Sequence, residues 1–228
     1  MKNIGKISAA TAALDFVSDN MIVGLGSGST ARIFIEKLAN RVKTEKLNIT
    51  CVATSISSQE LGIENGLNVV DLDSVDKIDV TIDGADEVDK NLNGIKGGGA
   101  ALFYEKIVAK ASEKNIWIVD PSKQSEKLGA FKLPIEVLPL GSAHVFRYLD
   151  NELNLDPTYR KNKDGSLLTT DSGNYIIDVD ISNVSNIDGL STQLIEHVGI
   201  IEHGLFLNIC DTLIIGNNPV EIKTRKVY

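Results

Sequence analysis

Asp83-Gly84-Ala85-Asp86, Lys96-Gly97-Gly98-Gly99 and Glu105 bring three carboxylates, one ammonium and a run of glycines into a single short stretch. Carboxylates positioned beside a substrate accept and return protons, and an ammonium next to them offsets the negative charge that proton removal creates. Consecutive glycines let the backbone approach a small ligand, since no Cβ intervenes. These types at this spacing point to proton transfer on a polyhydroxylated small molecule. Read more plainly, Asp83 to Glu87 is a solvated acidic turn, and Glu105 is a helix carboxylate paired with Lys106 or Lys110. Metal binding fits poorly, because the acidic alternation of a calcium loop is missing and no histidine lies nearby.

A second segment, Gly26-Ser27-Gly28-Ser29-Thr30, combines hydroxyls with free backbone N–H groups at an expected helix start. The positive end of a helix dipole makes such a turn an anion site. It lacks the Gly-Lys-Ser/Thr of a Walker loop, and Ser29 stands where a dinucleotide fingerprint needs its third glycine. Two readings fit the turn: a phosphate site, or a flexible βα turn whose serine or threonine caps the helix.

Short apolar strands must place these groups. Met21 to Leu25, Ile49 to Ala53, Val69 to Leu72, Ile78 to Ile82 and Ile116 to Val119 alternate with helical patterns near residues 6–18, 33–42, 57–64 and 101–113. Polar residues follow the strand ends, so the spacing predicts a doubly wound, mostly parallel sheet of Rossmann-like α/β type with its site on the carboxyl edge. From about residue 130 a β-α-β-β-α-β order predicts a smaller inserted α+β domain of ferredoxin-like type. The expected units are residues 1–130 with 207–228, and residues 131–206. Thr212 to Gly216 is expected to return to the first sheet.

The 228 residues carry a net charge of −8, with 43% apolar and 24% charged side chains. An acidic surface disfavours nucleic acid and anionic membranes, which demand counterion release. No apolar run reaches the ~20 residues of a membrane span. Cys51 and Cys210 stand far apart without metal spacing, which predicts a soluble cytoplasmic protein. His144, His197 and His203 are widely separated and are expected to be structural or surface residues.

The order and spacing of the Gly26–Thr30 turn, Asp83-Gly84-Ala85-Asp86-Glu87, Lys96-Gly97-Gly98-Gly99-Ala100-Ala101-Leu102 with Glu105-Lys106-Ile107, and Asp120-Pro121-Ser122-Lys123 resemble the A-type ribose-5-phosphate isomerase family. Leu133 to Val137, Ser172-Gly173-Asn174 and Glu202 to Phe206 are similar to it as well. The resemblance runs from about residue 5 to residue 216. It implies interconversion of ribose 5-phosphate and ribulose 5-phosphate in the non-oxidative pentose phosphate pathway, without metal or organic cofactor, by a homodimer or homotetramer. Glu105 then resembles the proton acceptor that shuttles between C2 and C1. Lys96 and the glycine N–H groups would stabilise the oxyanion, and Asp83 and Asp86 would assist ring opening and grip hydroxyls. Ser27, Gly28, Ser29, Thr30, Asp83, Gly84, Ala85, Asp86, Lys96, Gly97, Gly98, Gly99 and Lys123 resemble its substrate-contacting residues. Lys6 matches a lysine near the family's N-terminus, and Ser27 departs from the threonine of many members while keeping a hydroxyl. Two other functions fit a related core: a non-catalytic sugar-phosphate sensor, and an acyl-CoA transferase-like enzyme with glutamate as nucleophile.

Overall fold

The structure, a computed structural model, describes residues 2–225. In chain order its strands are β1 (Ile22–Leu25), β2 (Thr50–Ala53), β3 (Val80–Asp83), β4 (Glu87–Val88), β5 (Gly94–Ile95), β6 (Asn115–Val119), β7 (Leu133–Val137), β8 (Thr158–Tyr159), β9 (Tyr175–Val179), β10 (Ile200–His203), β11 (Leu205–Phe206), β12 (Thr212–Ile215) and β13 (Glu221–Thr224). The α-helices are α1 (Lys2–Ala13), α2 (Ser29–Glu45), α3 (Ile56–Glu64), α4 (Leu102–Lys110), α5 (Ser142–Arg147) and α6 (Ile187–Glu196).

The central sheet has the order β13-β12-β6-β3-β1-β2 and is parallel except for the antiparallel edge strand β13. Strands buried on both faces can be apolar throughout, and β6 and β12 are buried at every position. Helix α2 packs Phe34, Ile35 and Leu38 onto the sheet, and α1 packs its alanines Ala9, Ala10 and Ala13 into the same core. Small residues let α1 come close, to the point that a Cβ on Gly216 would lie 1.7 Å from the carbonyl oxygen of Gly5. The chain moves from β1 outward to β2, then crosses to β3 on the other side of β1. That reversal opens a crevice at the carboxyl ends of β1 and β3, where open α/β sheets bind ligands.

A second sheet, antiparallel with the order β10-β7-β9-β8, packs Leu133, Ile135, Val137, Ile177 and Val179 against Val145 and Leu149, and against Leu190 and Leu194 of α6. The α/β class with a smaller antiparallel unit agrees with the expectation, and β12 does return to the first sheet beside β6. One expected strand is not there. Val69 to Leu72 makes a single parallel bridge, Cys51 to Val69, and at Leu72 the chain turns into a 3₁₀ helix that ends at Ser74. The Ser74 hydroxyl donates to the Asp71 carbonyl and favours the turn over further pairing. Strands β4, β5 and β11 form a separate three-stranded sheet in the order β11-β5-β4.

Candidate active site

The crevice is lined by Ser27, Gly28, Ser29 and Thr30 from the β1–α2 turn, Gly84, Ala85 and Asp86 after β3, and Lys96, Gly97 and Gly99 after β5. Glu105 of α4, Lys6 of α1 and Lys123 complete it. Asp83 lies behind the wall, 3% exposed. Its Oδ1 accepts the N–H groups of Ser27 (2.9 Å) and Gly84 (2.7 Å), and its Oδ2 meets Lys96 Nζ at 2.9 Å. Gly26 makes this possible, since a Cβ there would sit 2.3 Å from Asp83 Oδ1 and 2.4 Å from its Cα. Gly26→Ala must therefore push β1 and β3 apart, with an expected loss of about 1–3 kcal/mol in urea denaturation. An unchanged midpoint would show that the contact is soft.

Lys96 is the hub of the site. Its ammonium reaches Asp83, Glu105 Oε1 at 3.2 Å and the Gly84 carbonyl at 2.6 Å, which accounts for all three of its protons. Burial opposes that charge, but Asp83 and Glu105 outweigh it and hold the pKa above lysine's ordinary value. Glu105 is 5% exposed, and its Oε2 has no hydrogen-bond partner. Burial raises its pKa to about 8, against the pull of Lys96 and with the help of Asp83. One carboxylate oxygen is thus anchored while the other is uncommitted, in a group poised near neutrality.

Asp86 is more open than Asp83. Its Oδ2 accepts the Gly98 N–H at 2.7 Å, and Oδ1 lies 3.8 Å from Lys123 Nζ. Gly98 itself is behind that carboxylate, and a Cβ there would come within 2.7 Å of it. The anion turn is as bare as its sequence suggests. Gly28, at φ +92°, precedes α2 with no side-chain cap, and Lys6 Nζ donates to Ser29 Oγ at 2.9 Å. The Ser27 hydroxyl points elsewhere, into a network with Thr54 and Ser55 at 2.7 Å each. Around the cleft three lysines (Lys6, Lys96, Lys123) offset three carboxylates (Asp83, Asp86, Glu105), leaving the helix N-terminus to favour an anion.

Of the sequence-derived site residues all but Asp83 and Gly98 line this crevice, and those two lie directly behind it, Asp83 on Lys96 and Gly98 on Asp86. Two supporting residues, Gly204 and Arg160, were not among them, and a third, Lys6, stood out only through the family resemblance. Lys6 is an ordinary helix lysine by pattern. Gly204 donates no side chain but lets its backbone meet Lys96, whose N–H it accepts at 2.9 Å and whose carbonyl a Cβ would strike at 2.3 Å. Arg160 reaches the Gly97 and Gly98 carbonyls from the second sheet. The histidines lie outside the cleft lining. His203 is buried and bonded to Ser191, and burial with Lys106 nearby lowers its pKa to about 4. Among the described residues, no group of three or more His, Cys, Asp or Glu side chains is placed to hold a metal ion, and no helix is long and apolar enough to cross a membrane.

Residues 50–219 match the family model of ribose 5-phosphate isomerase A (phosphoriboisomerase A). A ribose-5-phosphate isomerase A of Levilactobacillus brevis is 47% identical over 215 residues, 94% of each chain. A bifunctional ribokinase/ribose-5-phosphate isomerase A of Fructilactobacillus sanfranciscensis is 48% identical over 97% of this chain and 40% of its own length. Among solved structures, a D-ribose-5-phosphate isomerase in complex with phospho-erythronic acid superposes with a TM-score of 0.93 at 37% identity, covering 98% of both chains.

Proposed function

The chain belongs to the ribose 5-phosphate isomerase A family, and on that premise we propose how its crevice divides the work. It is an aldose–ketose isomerase that interconverts D-ribose 5-phosphate and D-ribulose 5-phosphate through an enediolate, a step of the pentose phosphate pathway. The observation that carries the assignment of roles is Glu105, with Oε1 held by Lys96 and Oε2 uncommitted on the cleft wall.

In the forward direction Glu105 removes the proton from C2 of the open-chain aldose. The C2–H electron pair becomes the C1–C2 double bond, and the C1 carbonyl oxygen becomes the oxyanion. Glu105 returns the proton to C1 while the hydroxyl proton passes from O2 to O1, giving the ketose with all atoms conserved. Lys96 acts chiefly as a fixed charge that orients Glu105, because its three protons are already engaged. Backbone N–H groups of the glycine run then bear more of the oxyanion contact. Asp83 positions Lys96, and Asp86, facing the cleft, takes the hydroxyls and ring opening. These donors supply the polarisation that a metal would otherwise provide, so the reading is of a metal-independent enzyme. Its free, buried cysteines fit the cytoplasm, and assembly as a homodimer or homotetramer follows the family resemblance.

A substrate phosphate of about −1.5 to −2 charges is placed at the α2 N-terminus, between Lys6 and Lys123. For Ser29→Ala with Thr30→Ala the expected result is a large rise in KM for ribose 5-phosphate with a smaller change in kcat. An unchanged KM would move the phosphate elsewhere. Isomerisation followed by NMR in D₂O tests the proton shuttle, which requires partial deuterium incorporation at C1 of the ketose. Neither the sensor nor the transferase reading predicts any turnover in that experiment.

A further inference from the structure

Arg160 follows β8 in the second sheet, far from the catalytic residues in sequence. Its Nε donates to Asp178 Oδ2 at 2.9 Å and its Nη2 to Asp178 Oδ1, a two-pronged pairing with a carboxylate on neighbouring β9. The remaining nitrogen, Nη1, donates to both the Gly97 carbonyl (2.7 Å) and the Gly98 carbonyl (3.1 Å). One guanidinium fork is thus fixed on one side and grips two successive peptides of the glycine run on the other.

A trans peptide points its C=O and N–H in opposite directions. Holding the Gly97 carbonyl turns the Gly98 N–H away from Arg160, and that N–H is found on Asp86 Oδ2 at 2.7 Å. Asp86 lines the cleft. The same logic applied to the Gly98 carbonyl turns the Gly99 N–H to that face. Gly99 also lines the cleft, and no acceptor for its N–H is present among the described residues. Glycine carries no side chain that could fix these peptide planes; the local turn ties down the Gly97 carbonyl, which also accepts the Ala100 N–H at 2.9 Å, but the Gly98 carbonyl is held by Arg160.

We propose that Arg160 is a positioning residue for the isomerisation: by clamping two peptide carbonyls it orients Asp86 through Gly98 and presents the Gly99 N–H to the enediolate oxyanion. The inference rests on the isomerase reading of the cleft. Removing one oxyanion donor costs about 10²–10³ in kcat, and loosening it through Arg160 should cost at least about tenfold.

The test compares wild type, Arg160→Lys, Arg160→Ala and Asp178→Asn by steady-state kinetics and by inhibition with phospho-erythronic acid, whose carboxylate imitates the enediolate in charge and shape. The expected pattern is a kcat loss of about tenfold or more with little change in KM. Weakening of the inhibitor should run parallel to kcat, and the pH midpoint of kcat/KM should stay in place because Glu105 and Lys96 are untouched. Arg160→Lys combined with Asp178→Asn should be no slower than Arg160→Lys alone, since both act through one fork. Should Arg160→Ala fail to fold, the lysine and Asp178 variants carry the same comparison. Folded variants with wild-type kcat, or a loss confined to KM, would overturn the proposal. Wild-type turnover in the same assay keeps that failure separate from a failure of the isomerase reading.

Discussion

Glu105→Gln is expected to lower kcat on ribose 5-phosphate by about 10²–10⁴ while leaving KM near its wild-type value. The amide keeps the size of the side chain and its contact with Lys96 but cannot take a proton from carbon. A pH profile separates loss of the base from loss of shape. Burial lifts the Glu105 pKa from 4.5 to about 8, and the reacting form is the carboxylate, so wild-type kcat/KM should rise with pH through that region. The substrate phosphate ionises near about 6 and cannot produce the same limb. Residual activity of Glu105→Gln should lack the rise. Linkage gives a second readout. A carboxyl whose folded pKa is raised adds stability that is full below its unfolded value and is lost as pH climbs through the folded one. The wild type should therefore lose stability between pH 4.5 and about 8 in a way that Glu105→Gln does not. Wild-type turnover by the amide variant would dismiss Glu105 as the base.

Much of this site is written locally. The strand ending in Asp83, the turn after β1 and the helix carrying Glu105 each follow from short-range pattern, and the strand order does the rest by bringing β1 beside β3. What the pattern hides is support delivered from a distance. Arg160 lies 63 residues from Gly97, in a segment whose own strands are two residues long or single bridges. Nothing in its periodicity sets it apart from a surface arginine. Gly204 carries no chemistry at all, and its purpose is visible only once Lys96 lies against it. The two-residue strands β4, β5 and β11 are too short for alternation to register. Val69 to Leu72 shows the opposite error, where an apolar run at the sheet margin has only one residue in pairing range.

Lys96→Met should be the most damaging substitution to stability as well as to catalysis. Methionine fills much of the lysine's volume, so the loss is of charge more than of packing. Asp83 and Glu105, 3% and 5% exposed, would then share a dry site with no cation between them. Removing one member of a buried ionic set typically costs about 3–5 kcal/mol, because the remaining charge is uncompensated. Asp83 retains the N–H groups of Ser27 and Gly84, which still satisfy one of its oxygens. Glu105 has no such donors, and with Asp83 close by it is the group that takes up a proton. The variant should consequently lack a base at neutral pH even where it is folded, which makes its kcat as low as that of Glu105→Gln. Its Glu105 pKa must lie higher still than in the wild type, so the stability deficit should be flat from about pH 4.5 to about pH 7 and widen as pH rises above about 8, where the wild-type carboxyl ionises and the variant's stays protonated. Denaturant titrations of both proteins at about pH 6 and about pH 9 measure the difference directly. Adding Glu105→Gln to Lys96→Met removes the stranded carboxyl and should recover part of the lost stability at about pH 8 without recovering activity. A deficit of the same size at both pH values, or a double variant no more stable than Lys96→Met, would mean that Lys96 is not what keeps Glu105 ionisable.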